Sequence, residues 1–199
     1  MSGFRSGGSR AERAEVQRRL ATARRGAELL ERKQRILQRS MEGLEEKAAA
    51  GRRKWEAAAG EAAVWLRRTT ALDGADRVSE AAAPEPALAV VQWGGAMGFS
   101  YPEAASCTVP TAPPAGGSSA LAYAAAAHRT ALEAAVASAA AQRALLLVSE
   151  ELAATRTRQR AVENRWIPQL EDQLAAIERR IAEQELEESL RLRWAAGLM

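Results

Sequence analysis

The residues that could carry chemistry are few. The 199-residue chain has one histidine, His128, and one cysteine, Cys107. Acid–base or nucleophilic catalysis needs such groups paired at hydrogen-bond range, and metal binding needs several ligands at fixed spacing. No CxxC, HExxH, P-loop or GxSxG spacing occurs. His128 is followed by Arg129 within an alanine run, which reads as a surface or seam residue. The carboxylate pairs Glu45-Glu46, Glu150-Glu151 and Glu187-Glu188 read as solvated helix faces. The sequence therefore predicts no catalytic residue, no metal site and no cofactor.

The elements that hold these residues are helical. Alanine, leucine, glutamate and arginine dominate, the composition of long helices and coiled coils. Hydrophobic residues make up 47%, but much of this is alanine, so a thick core is not expected. Lys and Arg number 28 against 25 acidic residues, with the signs interspersed. That is a solvated helix surface rather than a nucleic-acid stripe. The only lysines are Lys33, Lys47 and Lys54, and the Arg and Ala enrichment fits a GC-rich bacterial genome. The lone Cys107 excludes an internal disulfide and fits a reducing compartment. Residues 1–10 lack an apolar signal core, and no apolar stretch approaches the ~18 residues of a membrane span. The expectation is a soluble, cytoplasmic protein without direct membrane insertion.

The chain divides as 1–8 disordered, 9–72 a first coiled-coil helix, 73–118 a hairpin and Pro/Gly-rich connection, 119–195 a second coiled-coil helix and 196–199 a tail. In the first helix Val16, Leu20, Ala23, Ala27, Leu30, Gln34, Leu37, Met41, Leu44 and Ala48 step by fours and threes, a heptad seam. Gln34 is its polar position, of the kind that fixes register. The seam continues through Gly51, Trp55, Ala58, Ala62 and Trp65. Gly26, Gly43, Gly51 and Gly60 weaken the helix by ~1 kcal/mol each, a cost that close approach of another chain could explain. The middle holds six of the seven prolines. Within it, residues 87–101 read as two strands around Gly94-Gly95, and 107–119 as an irregular connection. Trp93 suits either hairpin packing or a docking contact. Ser118 or Ser119 can cap the second helix. That helix places Leu121, His128, Leu132, Ala135 and Ala139 on one face, then Trp166, Leu170, Leu174, Ile177 and Ile181. Two successive steps of four mark a stutter beside Pro168. A proline inside a helix costs about 3 kcal/mol. The fold class is all-α dominated: a long antiparallel two-helix coiled coil with a small β-hairpin in the middle. Each helix of sixty-odd residues would span about 90–100 Å.

Two stretches carry a resemblance, "RRGAELLERKQRIL" (24–37) and "TRTRQRAVENRWIPQLEDQLAAIERRIAEQELEESLRLR" (155–193). Both resemble the D subunit, the central rotor shaft of V-type and A-type rotary ATPases. The family's early Gly, Leu-Leu and Lys-x-Arg fall on Gly26, Leu29, Leu30, Lys33 and Arg35. Its late threonine-basic run and Ile-Pro fall on Thr157, Arg158, Arg160, Val162, Glu163, Ile167 and Pro168. The family's Pro-Thr-Arg start is replaced by "SGGSRAER", and its Asn-Ala-Leu core reads "AVENRW". The resemblance implies a non-catalytic subunit that transmits torque between the catalytic head and an ion-translocating rotor ring. It implies three partners: a hexamer of A and B subunits, the small F subunit, and a funnel-shaped subunit on the membrane ring. Head-contact candidates are Arg24, Arg25, Arg156, Arg158, Arg160 and Glu163. A non-rotary coiled-coil adaptor is the alternative, followed by an F-type gamma or export-ATPase stalk and by a nucleic-acid binder.

Overall fold

A computed structural model describes residues 6–83, 85–110 and 118–197. The expected disorder at the start of the chain falls largely on residues outside that set, as do most of the proline-rich connection (111–117) and the end of the tail. The elements are α1 (Ser6–Asp73), α2 (Ala75–Glu80), β1 (Leu88–Ala96), β2 (Phe99–Thr108), α3 (Ser119–Ala161), a π-helical turn (Val162–Trp166) and α4 (Ile167–Ala195). They form two compact units, one of Met1–Arg35 with Ala153–Met199 and one of Ile36–Leu152. The expected all-α-dominated fold with a small two-stranded hairpin in the middle is what the chain adopts.

In the first unit α1 packs against α4. Val16, Leu20 and Ala23 are buried with Leu170, Ile177 and Ile181, and Val162, Ile167 and Leu174 pack at the edge. Ion pairs Arg10–Glu185, Glu12–Arg180 and Arg24–Glu171 join the two helices, and their order shows that these run antiparallel. All three are about half exposed or more, so each is worth only ~0–1 kcal/mol.

The π-turn resolves the difficulty posed by Pro168. The Ile167 N–H donates to the Val162 carbonyl, five residues back instead of four. Pro168 then follows directly on the π-turn, where the backbone already departs from the regular four-residue bonding that a proline disrupts. The same turn moves the seam. Val162 and Ile167, five apart, face the core together. Trp166 is therefore not a seam residue, as the spacing had suggested, but is 48% exposed.

In the second unit Leu37 and Leu44 of α1 are buried with Ala144, Val148 and Leu152 of α3. Gly51 gives close approach: a Cβ there would lie 3.4 Å from the Ser138 Cα. Added Cβ atoms on Gly26, Gly43 and Gly60 would meet nothing within 4 Å, so those glycines serve no contact among the described residues. The Trp65 ring stacks on Tyr123 at 4.9 Å, with the Arg68 guanidinium 4.9 Å from the Trp65 centroid. Ser118 uses its hydroxyl to donate to Asp73 (2.6 Å) at the end of α1 rather than to cap α3. The buried face of α3 runs through Ala120, Leu121, Ala124, Ser138, Ala144, Val148 and Leu152. His128, Leu132 and Ala139, expected on that face, lie off it. Where almost every residue is alanine, hydropathy does not define a phase. The helical stretch Ser119–Ala195 is, contrary to expectation, long and apolar enough by length and composition to cross a membrane.

The hairpin turn differs from the expected one. The strands pair antiparallel from Leu88↔Thr108 to Ala96↔Phe99. The connection is Met97-Gly98, both with positive φ (53° and 78°), the pattern of a type I′ turn. Gly94 and Gly95 instead lie within β1. A register shift beside Gln92 and Trp93 leaves Glu103 as a bulge, and a Cβ on Gly94 would fall 2.7 Å from the Glu103 Oε2. Cys107 and Thr108, assigned above to irregular chain, belong to β2. Phe99 and Tyr101 rest on the Leu37–Leu152 cluster, so the hairpin packs against the helix pair of the second unit.

Two outcomes test this packing. Leu37→Ala, at a fully buried site, should cost about 2–5 kcal/mol in urea unfolding, whereas Leu29→Ala, 64% exposed, should change stability by less than about 0.5 kcal/mol. Deleting Asn164 should convert the π-turn to α-helix and leave Val162 and Ile167 four apart on one face. The apolar face is kept, but Pro168 then stands inside a regular helix at a cost of about 3 kcal/mol, so the melting curve by circular dichroism should shift below the parent's. Deleting Ala176, inside the regular seam, rotates all that follows by ~100° and should lower the melting temperature.

Candidate functional site

The residues carried over by resemblance fall in two settings. Gln34 of α1, Arg156, Gln159 and Arg160 of α3 and Glu163 of the π-turn line one polar groove of about 320 Å³ in the first unit. Arg156, Arg160 and Glu163 stand four and three residues apart, which puts them on one helix face. The Gln159 amide donates to the Glu163 carboxylate at 3.0 Å. Three of the six head-contact candidates are thus brought together.

The other three lie outside the groove. Arg24 is held by Glu171 at 2.8 Å, while Arg25 and Arg158 are exposed. Among the family-motif positions, Ile167 joins the apolar cluster and Leu30 and Lys33 are half-buried. Leu29 and Pro168 are exposed, and Arg35 pairs with Glu31 on its own helix at 3.4 Å. Gly26 is half-buried beside open space.

Sequence reasoning named Gln34 as a polar seam residue but missed two polar positions on the facing helix. Gln159 is half-buried in the groove, and Thr155 is fully buried. The Thr155 hydroxyl has no hydrogen-bond partner among the described residues, a cost of about 1–3 kcal/mol. The signal was present: Val148, Leu152, Thr155, Gln159 and Val162 step by fours and threes.

Chemically the groove offers hydrogen bonds and charge but no nucleophile–base pair. Among the described residues no cluster of three or more His, Cys, Asp or Glu could hold a metal. The His128 ring stays on its own helix, with Nδ1 2.8 Å from the Ala124 carbonyl oxygen.

The family model described as the D subunit of ATP synthase matches residues 12–197. No curated protein matches the chain at a significant level. The match takes in both long helices, the π-turn and the hairpin, so the chain belongs to the ATP synthase D-subunit family and is a non-catalytic stalk subunit of a rotary ATPase complex.

Proposed function

We propose that this stalk subunit is the central rotor shaft. It carries torque between an A/B catalytic hexamer and the membrane rotor ring, and so couples ATP hydrolysis or synthesis to ion translocation. The observation that carries this reading is α1, an unbroken helix of 68 residues whose buried positions recur along its length. A shaft must resist twist. A helix braced by helical partners along its seam resists it far better than an isolated one, because twisting would unseat every buried contact.

In this reading the part bearing both termini enters the head. Leu186, Leu190, Leu192 and Trp194 near the end of α4 are 50–75% exposed, an apolar surface suited to a sleeve of partner subunits. Arg24, Arg25, Arg156, Arg158, Arg160 and Glu163 are the charged contacts proposed with the head. The F subunit and a funnel-shaped subunit hold the other part. The stalk stays peripheral to the cell membrane on the cytoplasmic side, in a bacterial complex. The alanine-rich stretch of α3 serves as a packing face against α1 in this account, not as a span.

Native mass spectrometry of the complex from its own cells tests the stoichiometry. One copy with three A and three B subunits and one small partner is the expected result. Symmetric copies, or a complex lacking ATPase subunits, would favour a non-rotary adaptor. A second test addresses Pro168. Pro168→Ala restores an N–H in the turn after the π-helix and should stiffen that joint, changing the ions moved per ATP hydrolysed in reconstituted vesicles. Unaltered coupling would remove Pro168 from the mechanism.

A further inference from the structure

A second, larger groove lies in the other unit, between β2 and the helix pair, with a volume of about 740 Å³. Its floor is made of the smallest side chains: Ala50, Gly51 and Ala57 of α1 and Ala137, Ala140 and Ala141 of α3. Its helical rim carries Lys47, Arg53 and Lys54. These three cations are exposed and have no ion pair among the described residues. By contrast Arg52, next in the chain, is paired with Glu56. The only acidic residue among those lining the groove is Glu103, the bulge on the hairpin wall. Three unpaired positive charges over an apolar floor, facing one negative charge, call for an occupant that is acidic at its edges and apolar beneath.

We propose that this groove docks an acidic amphipathic helix from another subunit of the ATPase complex. The groove runs from Lys47 to Ala57, about 15 Å along α1, the length of roughly three helical turns. Alanine and glycine admit a third helix at close interaxial distance, near ~8 Å. The empty volume above them takes large aliphatic side chains from the partner. Asp or Glu residues flanking those side chains meet Lys47, Arg53 and Lys54. The hairpin supplies the third wall. The Phe99–Tyr101 contact holds it against the helices, and the Glu103 bulge presents Ala104 and Ala105 to the groove. The proposal rests on membership of the complex and not on rotation.

Zero-length carbodiimide coupling of the intact purified complex tests it, since this reagent joins a lysine amine only to a carboxylate in direct contact. The expected products are isopeptide bonds from Lys47 or Lys54 to Asp or Glu in an amphipathic helix of another subunit, identified by peptide mass spectrometry. Lys47→Glu with Lys54→Glu should weaken that docking by about tenfold, read as faster hydrogen exchange in the coupled partner helix. Lys47→Arg with Lys54→Arg should abolish coupling but leave the exchange protection in place. Circular dichroism shows whether each variant retains its helices. Coupling to a second copy of this chain, coupling to a segment that is not an amphipathic helix, or no coupling while native mass shows the complex intact would overturn the proposal. A failed shaft stoichiometry would leave the coupling result readable, so the two ideas fail separately.

Discussion

The structure depends on keeping one narrow face of each long helix in phase with its partner over many turns. A residue advances a helix by about 100°, so a single extra residue would carry the following apolar positions away from the seam. The chain has such a residue. Between Val162 and Ile167 there are five steps where an α-helix needs four, and the π-turn absorbs the surplus locally. Leu170, Ile177 and Ile181 thus return to the face shared with Val16, Leu20 and Ala23. Pro168 sits immediately after the turn, where the wider π-helical winding already departs from the four-residue bonding that a proline breaks. The proline and the extra residue occupy one irregularity between them.

Small side chains set the second constraint. Alanine buries little area, so each contact along α1 and α3 contributes little. Stability then comes from length and from a few larger residues, Leu37, Val148, Leu152 and Leu170, that are almost wholly enclosed. Small residues also bring helix axes together, as Gly51 against Ser138 shows. The same property leaves the groove beneath the hairpin open, because a floor of alanine does not fill the space that β2 spans. Packing of the helix pair and availability of a docking surface have one compositional cause.

How much could be read in advance varied with side-chain size. The α1 seam was legible because Val16, Leu20, Leu37 and Leu44 stand out against charged neighbours at heptad spacing, and all four are buried. The α3 seam was not. With alanine on every face, His128 and Leu132 drew the assigned face away from Ala124, Ser138 and Ala144. Trp166 misled for another reason, since four-residue spacing to Leu170 presumes an α-helix that the π-turn interrupts. In the hairpin, Gly94-Gly95 matches the positive-φ demand of a tight turn, but the chain uses those glycines for close approach of Glu103 and Phe99, and accepts positive φ at Met97. For the candidate site, residue types predicted no catalytic residue, and the family match gives a non-catalytic subunit. The grouping of Arg156, Arg160 and Glu163 with Gln34 followed only once α1 was docked on α3.

The polar layer explains how a stretch of seam without leucine is still useful. Apolar seams tolerate sliding by one heptad, because leucine meets leucine again. Gln34 and Gln159 are half-buried polar positions in that seam, and a slide would set them against apolar partners. Thr155, four residues before Gln159 and buried without a partner among the described residues, adds a cost of its own. Arg156, Arg160 and Glu163 share a groove with Gln34 and Gln159, which sets the charges proposed to meet the head beside those polar seam positions.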